Sequence, residues 1–307
     1  MTQQRFLKGL IAAPFTPMDE AGKVNLSVIE TYAELIDKNE VSGVFICGTT
    51  GESMSLTTDE RKSIAGAWVA QANKRFKVIV HVGGTSQPQS IELAAHAQEI
   101  GADAISLMAP GFFKPEKVKD LVDFFEPIAA AAASLPFYYY NMPSITGVFL
   151  PVNEFLQQGK ARIPNLKGVK YTHNNLMEMQ QCINLNDGEF EVLHGFDEIL
   201  LTGLAIGATA AVGSTYNYIP ALYNEIMDLV KEGNLEKARI LQNVSVDVIS
   251  VVIKHGGGVR GGKAIMNLLG LNCGPCRSPI AEFTKNEYKE LKVDLEKIGF
   301  FNLVNQL

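Results

Sequence analysis

Four cysteines in 307 residues are too few to staple a chain of this length. Cys47, Cys182, Cys273 and Cys276 stand in unrelated contexts, so no disulfide framework is expected and a reducing compartment is. No run approaches the ~20 consecutive apolar residues of a membrane span. The opening residues, MTQQRFLKGLIAAPFTPM, hold no apolar core of signal-peptide length before proline interrupts them. A cytoplasmic protein without a membrane partner is expected. Basic charge is also scarce: 27 Lys and Arg against 33 Asp and Glu give a net charge of −6, which argues against a nucleic-acid partner. The five histidines show neither HExxH nor another metal-ligand spacing. No metal is implied, and His81, His96 and His194 read as packing or surface residues. No linker, low-complexity tract or charge block divides the chain, which reads as a single domain over 1–307.

What the sequence does have is rhythm. Short apolar runs recur at roughly even spacing: GLIAAPFTP (9–17), GVFICGTT (43–50), KVIVHVGG (77–84), AISLMAP (104–110), PFYYYNMP (136–143), LKGVKYT (166–172), EVLHGF (191–196) and AAVGST (210–215). They are continuous rather than alternating, as parallel strands covered on both faces require. Helical patterns lie between them. NLSVIETYAELIDKN (25–39) can be capped by Asn25, and SQPQSIELAAHAQEIGA (86–102) begins at Ser86 and carries Gly101 near its end. Eight strand–helix units in this order predict an α/β fold, a (β/α)8 TIM barrel over 1–218 with a C-terminal helical extension over 219–307. A doubly wound open sheet is the alternative.

Barrels of this kind place their sites at the C-terminal ends of the strands. Those ends carry Thr49, Thr50, Tyr140, Lys170, Thr172, Asp197, Glu198 and Ser214, a hydroxyl-rich set with one amine. Lys170 lies inside an otherwise buried run, where lysine needs a partner or a task. Alternation puts it on one face with Leu166, Gly168 and Thr172, and puts Tyr138 and Tyr140 on one face of the neighbouring strand. If both faces point inward, Lys170 and Tyr140 meet at the barrel mouth. A desolvated amine there is biased toward its neutral form and can attack a carbonyl to give a Schiff base. Tyr140 can move the protons that follow. The competing reading is a lysine that snorkels past the strand end to water. CGTTGES (47–53) offers N–H groups and hydroxyls in a tight turn suited to an anion, or merely a capped strand–helix turn. Asp197 and Glu198 in HGFDEI (194–199) can accept from sugar hydroxyls or cap the next helix.

Two motifs mislead. NCGPCRSP (272–279) contains CxxC, but it follows the helical KAIMNLLGL rather than the strand of a thioredoxin-like unit. GGGVRGGK (256–263) matches GxGxxG and nearly matches a phosphate-binding loop, yet alanine replaces the Ser or Thr after Lys263 and no strand precedes it. It reads as a helix–helix turn.

GTTGES, YYYNMPSITG, LKGVKYT, GFDE and GATAAVGSTYN, in this order and spacing, resemble the N-acetylneuraminate lyase branch of the class I aldolase superfamily that includes dihydrodipicolinate synthase. The resemblance covers essentially the whole chain. It implies reversible cleavage of a sialic acid, N-acetylneuraminate, to pyruvate and N-acetylmannosamine by a homotetramer, with no cofactor beyond the covalent Schiff base. It also implies that Lys170 forms that Schiff base, Tyr140 shuttles protons, and Thr49 and Thr50 hold the pyruvyl carboxylate. Thr172, Gly195, Asp197, Glu198 and Ser214 would line the glycerol and sugar end. Two positions depart from the superfamily pattern. Dihydrodipicolinate synthases carry an arginine in YNxPxR for a second carboxylate, where this chain has Ile145. Many members bring a neighbouring subunit's tyrosine to the site after strand four, where GFFKP (111–115) offers Phe112, which cannot relay protons. Another pyruvate-dependent aldolase or hydratase, or a non-catalytic barrel that binds 2-oxo acids, would share much of this pattern.

Overall fold

The computed structural model describes residues 5–304. Eight parallel strands close into a barrel in sequence order, β1 pairing with β8; the open-sheet alternative is excluded. The strands are β1 (Gly9–Ala12), β2 (Gly43–Ile46), β3 (Lys77–His81), β4 (Ala104–Met108), β5 (Phe137–Asn141), β6 (Leu166–Tyr171), β7 (Glu191–His194) and β8 (Ala210–Gly213). A longer helix follows each in turn: α1 (Ile29–Lys38), α2 (Thr58–Ala72), α3 (Gln87–Glu99), α4 (Val118–Ala130), α5 (Val152–Arg162), α6 (Leu176–Asn184), α7 (Leu200–Ala205) and α8 (Pro220–Lys231), with one further helical turn, Pro143–Thr146, between β5 and α5. Three more, α9 (Leu235–Lys254), α10 (Gly257–Leu268) and α11 (Lys285–Lys297), extend the chain. The sequence-based boundary at 218 falls just ahead of α8, which packs on β1 and on α7 as the last helix of the ring.

Strand period two sorts the apolar side chains into two layers. Ile11, Phe45, Ile79, Met108, Tyr138, Tyr140, Leu193 and Val212 fill the barrel interior. Their alternates, such as Val44, Val80, Leu107, Tyr139, Val169 and Tyr171, pack outward under the helices. Both sides of each strand are therefore dry, which is why the runs read as continuous. Helix α1 shows the matching helical period, burying Ile29, Tyr32, Ala33 and Ile36 on one stripe.

Local chemistry sets the helix ends. Asn25 accepts from the Ser27 N–H, as anticipated, but it starts a short 3-10 turn (Leu26–Val28) that leads into α1. Ser86 caps α3. Thr57 and Glu60 form a capping box on α2. The N-terminal face of the barrel is sealed from within: Glu191 accepts from the Phe6 and Leu7 N–H groups at 2.5 and 3.1 Å and from the Tyr138 hydroxyl at 2.8 Å. The open end is the other one.

Candidate active site

A cavity of about 360 Å³ opens at the C-terminal ends of the strands. All nine residues singled out from the sequence line it: Thr49, Thr50, Tyr140, Lys170, Thr172, Gly195, Asp197, Glu198 and Ser214.

Lys170 does not snorkel. It is 5 % exposed, and its Nζ lies 3.9 Å from the centroid of the Tyr140 ring and 4.3 Å from that of Phe45. Tyr140 and Lys170 are partners in the β5–β6 ladder, both directed into the barrel. The two rings flank the amine at the distances of cation–π contacts. The Tyr140 hydroxyl donates to Met142 Sδ at 3.0 Å and stands 3.4 Å from Thr49 Oγ1.

Thr49 and Thr50 sit in a turn after β2 that is bonded back on itself, with the Glu52 and Ser53 N–H groups donating to the Thr49 and Gly48 carbonyls. Cys47 adopts a left-handed conformation (φ 53°) to start that turn. Behind it His81 spans two strands: Nε2 accepts from the Met108 N–H at 3.3 Å, and Nδ1 donates to the Cys47 carbonyl at 3.0 Å. Burial, together with the Arg61 and Lys170 charges, holds this imidazole well below the usual histidine range. It is a neutral strut, in keeping with the packing role expected.

On the far side Asp197 is tied rather than open. One carboxylate oxygen accepts from both the N–H and the hydroxyl of Thr215, at 2.9 and 2.6 Å. Asp197 therefore neither caps the next helix nor presents its whole carboxylate to the cavity; it fastens the loop after β7 to the loop after β8. Burial pushes its carboxyl above the ordinary range, with the two Thr215 bonds opposing that shift. Glu198 is half-buried, and burial raises it too, helped by the Asp197 charge. Gly213 must lack a side chain because the Asp197 carboxylate occupies the place of its Cβ, and Gly195 because the Thr172 hydroxyl does. That buried Thr172 hydroxyl has no partner among the described residues, which leaves it free for a ligand.

Several lining residues escaped the sequence. Ile249, Val252 and Ile253 of α9, and Gly258 and Val259 at the start of α10, form an apolar wall. No local signal marks them, because only tertiary packing brings the extension over the mouth. GGGVRGGK is mostly helical: Gly256 and Gly257, at φ 98° and 81°, make the turn, and the rest begins α10. Phe112 does not line the cavity; it is 78 % exposed and stacks edge-on with Phe113. Among the described residues, no group of three or more His, Cys, Asp or Glu could hold a metal ion, and no helix is long and apolar enough to cross a membrane.

Barrel, buried amine and a polar mouth at the strand C-termini define the class, an enzyme on a (β/α)8 scaffold. The chain belongs to the dihydrodipicolinate synthetase family, whose model matches residues 6–298. The N-acetylneuraminate lyase of Gallus gallus is 42 % identical over 302 residues, covering 97 % of this chain and 98 % of that protein. The native structure of N-acetylneuraminate lyase (sialic acid aldolase) from Aliivibrio salmonicida superposes with a TM-score of 0.93 at 39 % identity, covering 97 % of this chain and 98 % of that one. The lyase of Proteus mirabilis gives 0.93 at 36 %, covering 96 % and 99 %.

Proposed function

We propose that this protein is a Schiff-base aldolase that cleaves N-acetylneuraminate reversibly to pyruvate and N-acetylmannosamine. The observation that carries the mechanism is Lys170, an amine buried between two aromatic faces at the floor of a cavity open to substrate. The names of the relatives support the substrate.

Lys170 Nζ adds to the C2 carbonyl of the open-chain sugar acid, and loss of water leaves an iminium. Removal of the C4 hydroxyl proton then breaks the C3–C4 bond, and its electron pair moves into the iminium to give an enamine. The aldehyde sugar leaves. Protonation of the enamine at C3 and addition of water release pyruvate and restore the amine. Tyr140, whose hydroxyl stands 3.4 Å from Thr49 Oγ1, carries these protons. Thr49 and Thr50 hold the carboxylate at the turn. Thr172, Gly195, Asp197, Glu198 and Ser214 line the sugar chain, with carboxylates as acceptors for its hydroxyls. The iminium is the electron sink, so the cycle uses no metal or dissociable cofactor.

Ile145, 56 % exposed at the cavity edge, favours this reading over the dihydrodipicolinate synthase type, because an apolar side chain cannot pair with a second carboxylate. A 2-oxo-acid sensor would have no use for the amine. Phe112 and Phe113, 78 % and 84 % exposed, support assembly into the expected homotetramer, since a monomer would leave both in water. The four free, buried cysteines fit a cytoplasmic setting.

The test is pyruvate release from N-acetylneuraminate, paired with borohydride reduction in the presence of pyruvate. A pyruvyl mass on the Lys170 peptide is expected, with both signals lost in Lys170→Ala. An adduct on Lys167, or efficient condensation of pyruvate with aspartate semialdehyde, would overturn the assignment.

A further inference from the structure

The cavity lining leaves three sequence features unused: the glutamate that ends GTTGE, Lys263 of GGGVRGGK, and Arg277 beside the CxxC. The fold joins them. Glu52 lies three residues beyond Thr49 in a left-handed conformation (φ 57°, ψ 32°) that a glutamate seldom adopts. Its side chain is fully buried, and Oε1 accepts from Lys263 Nζ at 2.8 Å. Lys263 is itself 1 % exposed. The other oxygen, Oε2, accepts from the Arg277 backbone N–H at 2.8 Å. The Arg277 guanidinium donates to the Gly22 and Ser55 carbonyls and to both oxygens of Glu60, in the first turn of α2. On its other side the turn is held by Thr16, whose hydroxyl donates to the Gly51 carbonyl at 2.7 Å.

Lys263 also belongs to α10, the helix whose first residues, Gly258 and Val259, line the cavity wall. One ion pair therefore connects the Thr49–Thr50 turn to that wall. Burying two charges is a poor way to gain stability, because desolvation offsets most of their attraction. What such a pair does well is fix a distance, since neither charge can leave without stranding the other.

We propose that Glu52 and Lys263 are positioning residues, which set the place of the Thr49–Thr50 turn relative to Lys170 and to the α10 wall so that the turn can hold the oxo-acid carboxylate. This rests on the role given to that turn above. The consequence falls on substrate affinity more than on the amine's chemistry.

The test compares the full-length protein with Glu52→Gln, Lys263→Met and the double variant, by borohydride trapping of pyruvate on Lys170 across pyruvate concentration and by thermal unfolding. Each single variant strands a buried charge or donor and should lower Tm. The double variant removes both charges and should recover most of that Tm. Its half-saturating pyruvate concentration should still rise roughly tenfold or more, the scale of effect expected when a positioned contact shifts by a fraction of an ångström. Its limiting trapping rate should change little.

A double variant with parental half-saturation would overturn the proposal and leave the pair a purely structural element. An unchanged half-saturation with a reduced limiting rate would overturn it too, because the pair would then act on Lys170. If the double variant does not fold, Glu52→Asp keeps both charges and shortens the reach by one methylene. The same two readouts decide, with raised half-saturation at near-parental Tm supporting the proposal and parental half-saturation refuting it. Absence of trapping in the parent would instead refute the reading of the site on which the proposal rests.

Discussion

Lys170 Nζ rests 3.9 Å from the centre of the Tyr140 ring, while the Tyr140 hydroxyl is engaged elsewhere, with Met142 Sδ and near Thr49. The ring face and the hydroxyl of one side chain thus serve different tasks. The face flanks the amine; the hydroxyl is the group to which the proposed mechanism gives the substrate's protons.

That division predicts the behaviour of Tyr140→Phe. The ring remains, so the fold and pyruvate trapping on Lys170 should persist. Turnover should fall ~10²–10⁴-fold, the usual cost of one positioned acid–base group. Steady-state cleavage set against trapping measures the difference, and near-parental kcat would move the proton transfer to another group.

Specificity should turn on Ile145. It lines the cavity with two carboxylates, Asp197 and Glu198, and Lys170 is the one cationic residue in that lining. An anionic aldehyde is repelled there, whereas a neutral amino sugar donates to those carboxylates. The unmodified protein should cleave N-acetylneuraminate and condense aspartate semialdehyde with pyruvate negligibly. In Ile145→Arg the ratio of the two kcat/KM values should shift toward condensation, and an unmoved ratio would count against Ile145 as the discriminating position.

Thr215 tests the tie across the sugar end. Thr215→Val removes the hydroxyl at 2.6 Å from Asp197 but keeps the N–H. The buried carboxylate loses one of its donors, so destabilisation of ~1–3 kcal/mol is expected. KM for the sugar acid should rise while the pyruvate concentration for half-maximal trapping stays put. Asp197→Ala should show the same split more strongly. Denaturant melts and the two substrate titrations check both, and an equal loss toward both substrates would mean that Asp197 serves the whole site.

Acid sensitivity should trace in part to His194. Its ring is wholly buried between β7 and α7, against Gly203, and burial lowers its pKa from 6.5 to about 4. The unfolded chain takes up the proton first as pH falls, so stability declines between about pH 6.5 and 4 and rises again with pH. Thermal melts of His194→Leu over that window should slope less steeply than the parent's. Parallel curves would assign the acid sensitivity to other groups.

How far the sequence carried these conclusions differs between elements. The eight strands, their order and the inward faces of β5 and β6 were legible because a parallel strand covered on both sides must be an apolar run, and because period two fixes which side chains share a face. On that basis sequence pattern alone brings Lys170 and Tyr140 together, as the β5–β6 register does. Thr49, Thr50, Thr172 and Ser214 followed from the rule that strand C-termini meet at one end of a barrel. The boundary of the eighth helix, and the helical character of GGGVRGGK, were not legible. Glycine-rich composition reads as a turn, yet packing against Phe15 and the end of α9 leaves room only for glycine at Gly262 and Gly261 within α10.

The sequence by itself determined the barrel and which residues stand at its floor, since both rest on local periodicity and on residues at fixed offsets from strand ends. Only the tertiary structure decided what surrounds that chemistry. Asp197 is fastened by Thr215, eighteen positions away; the apolar wall comes from α9 and α10; and Glu52 meets Lys263 across 211 positions. Contacts between segments so far apart leave no periodic trace in the chain. They exist because closing the barrel brings all eight strand ends to one mouth, where residues scattered through the sequence must be buried together.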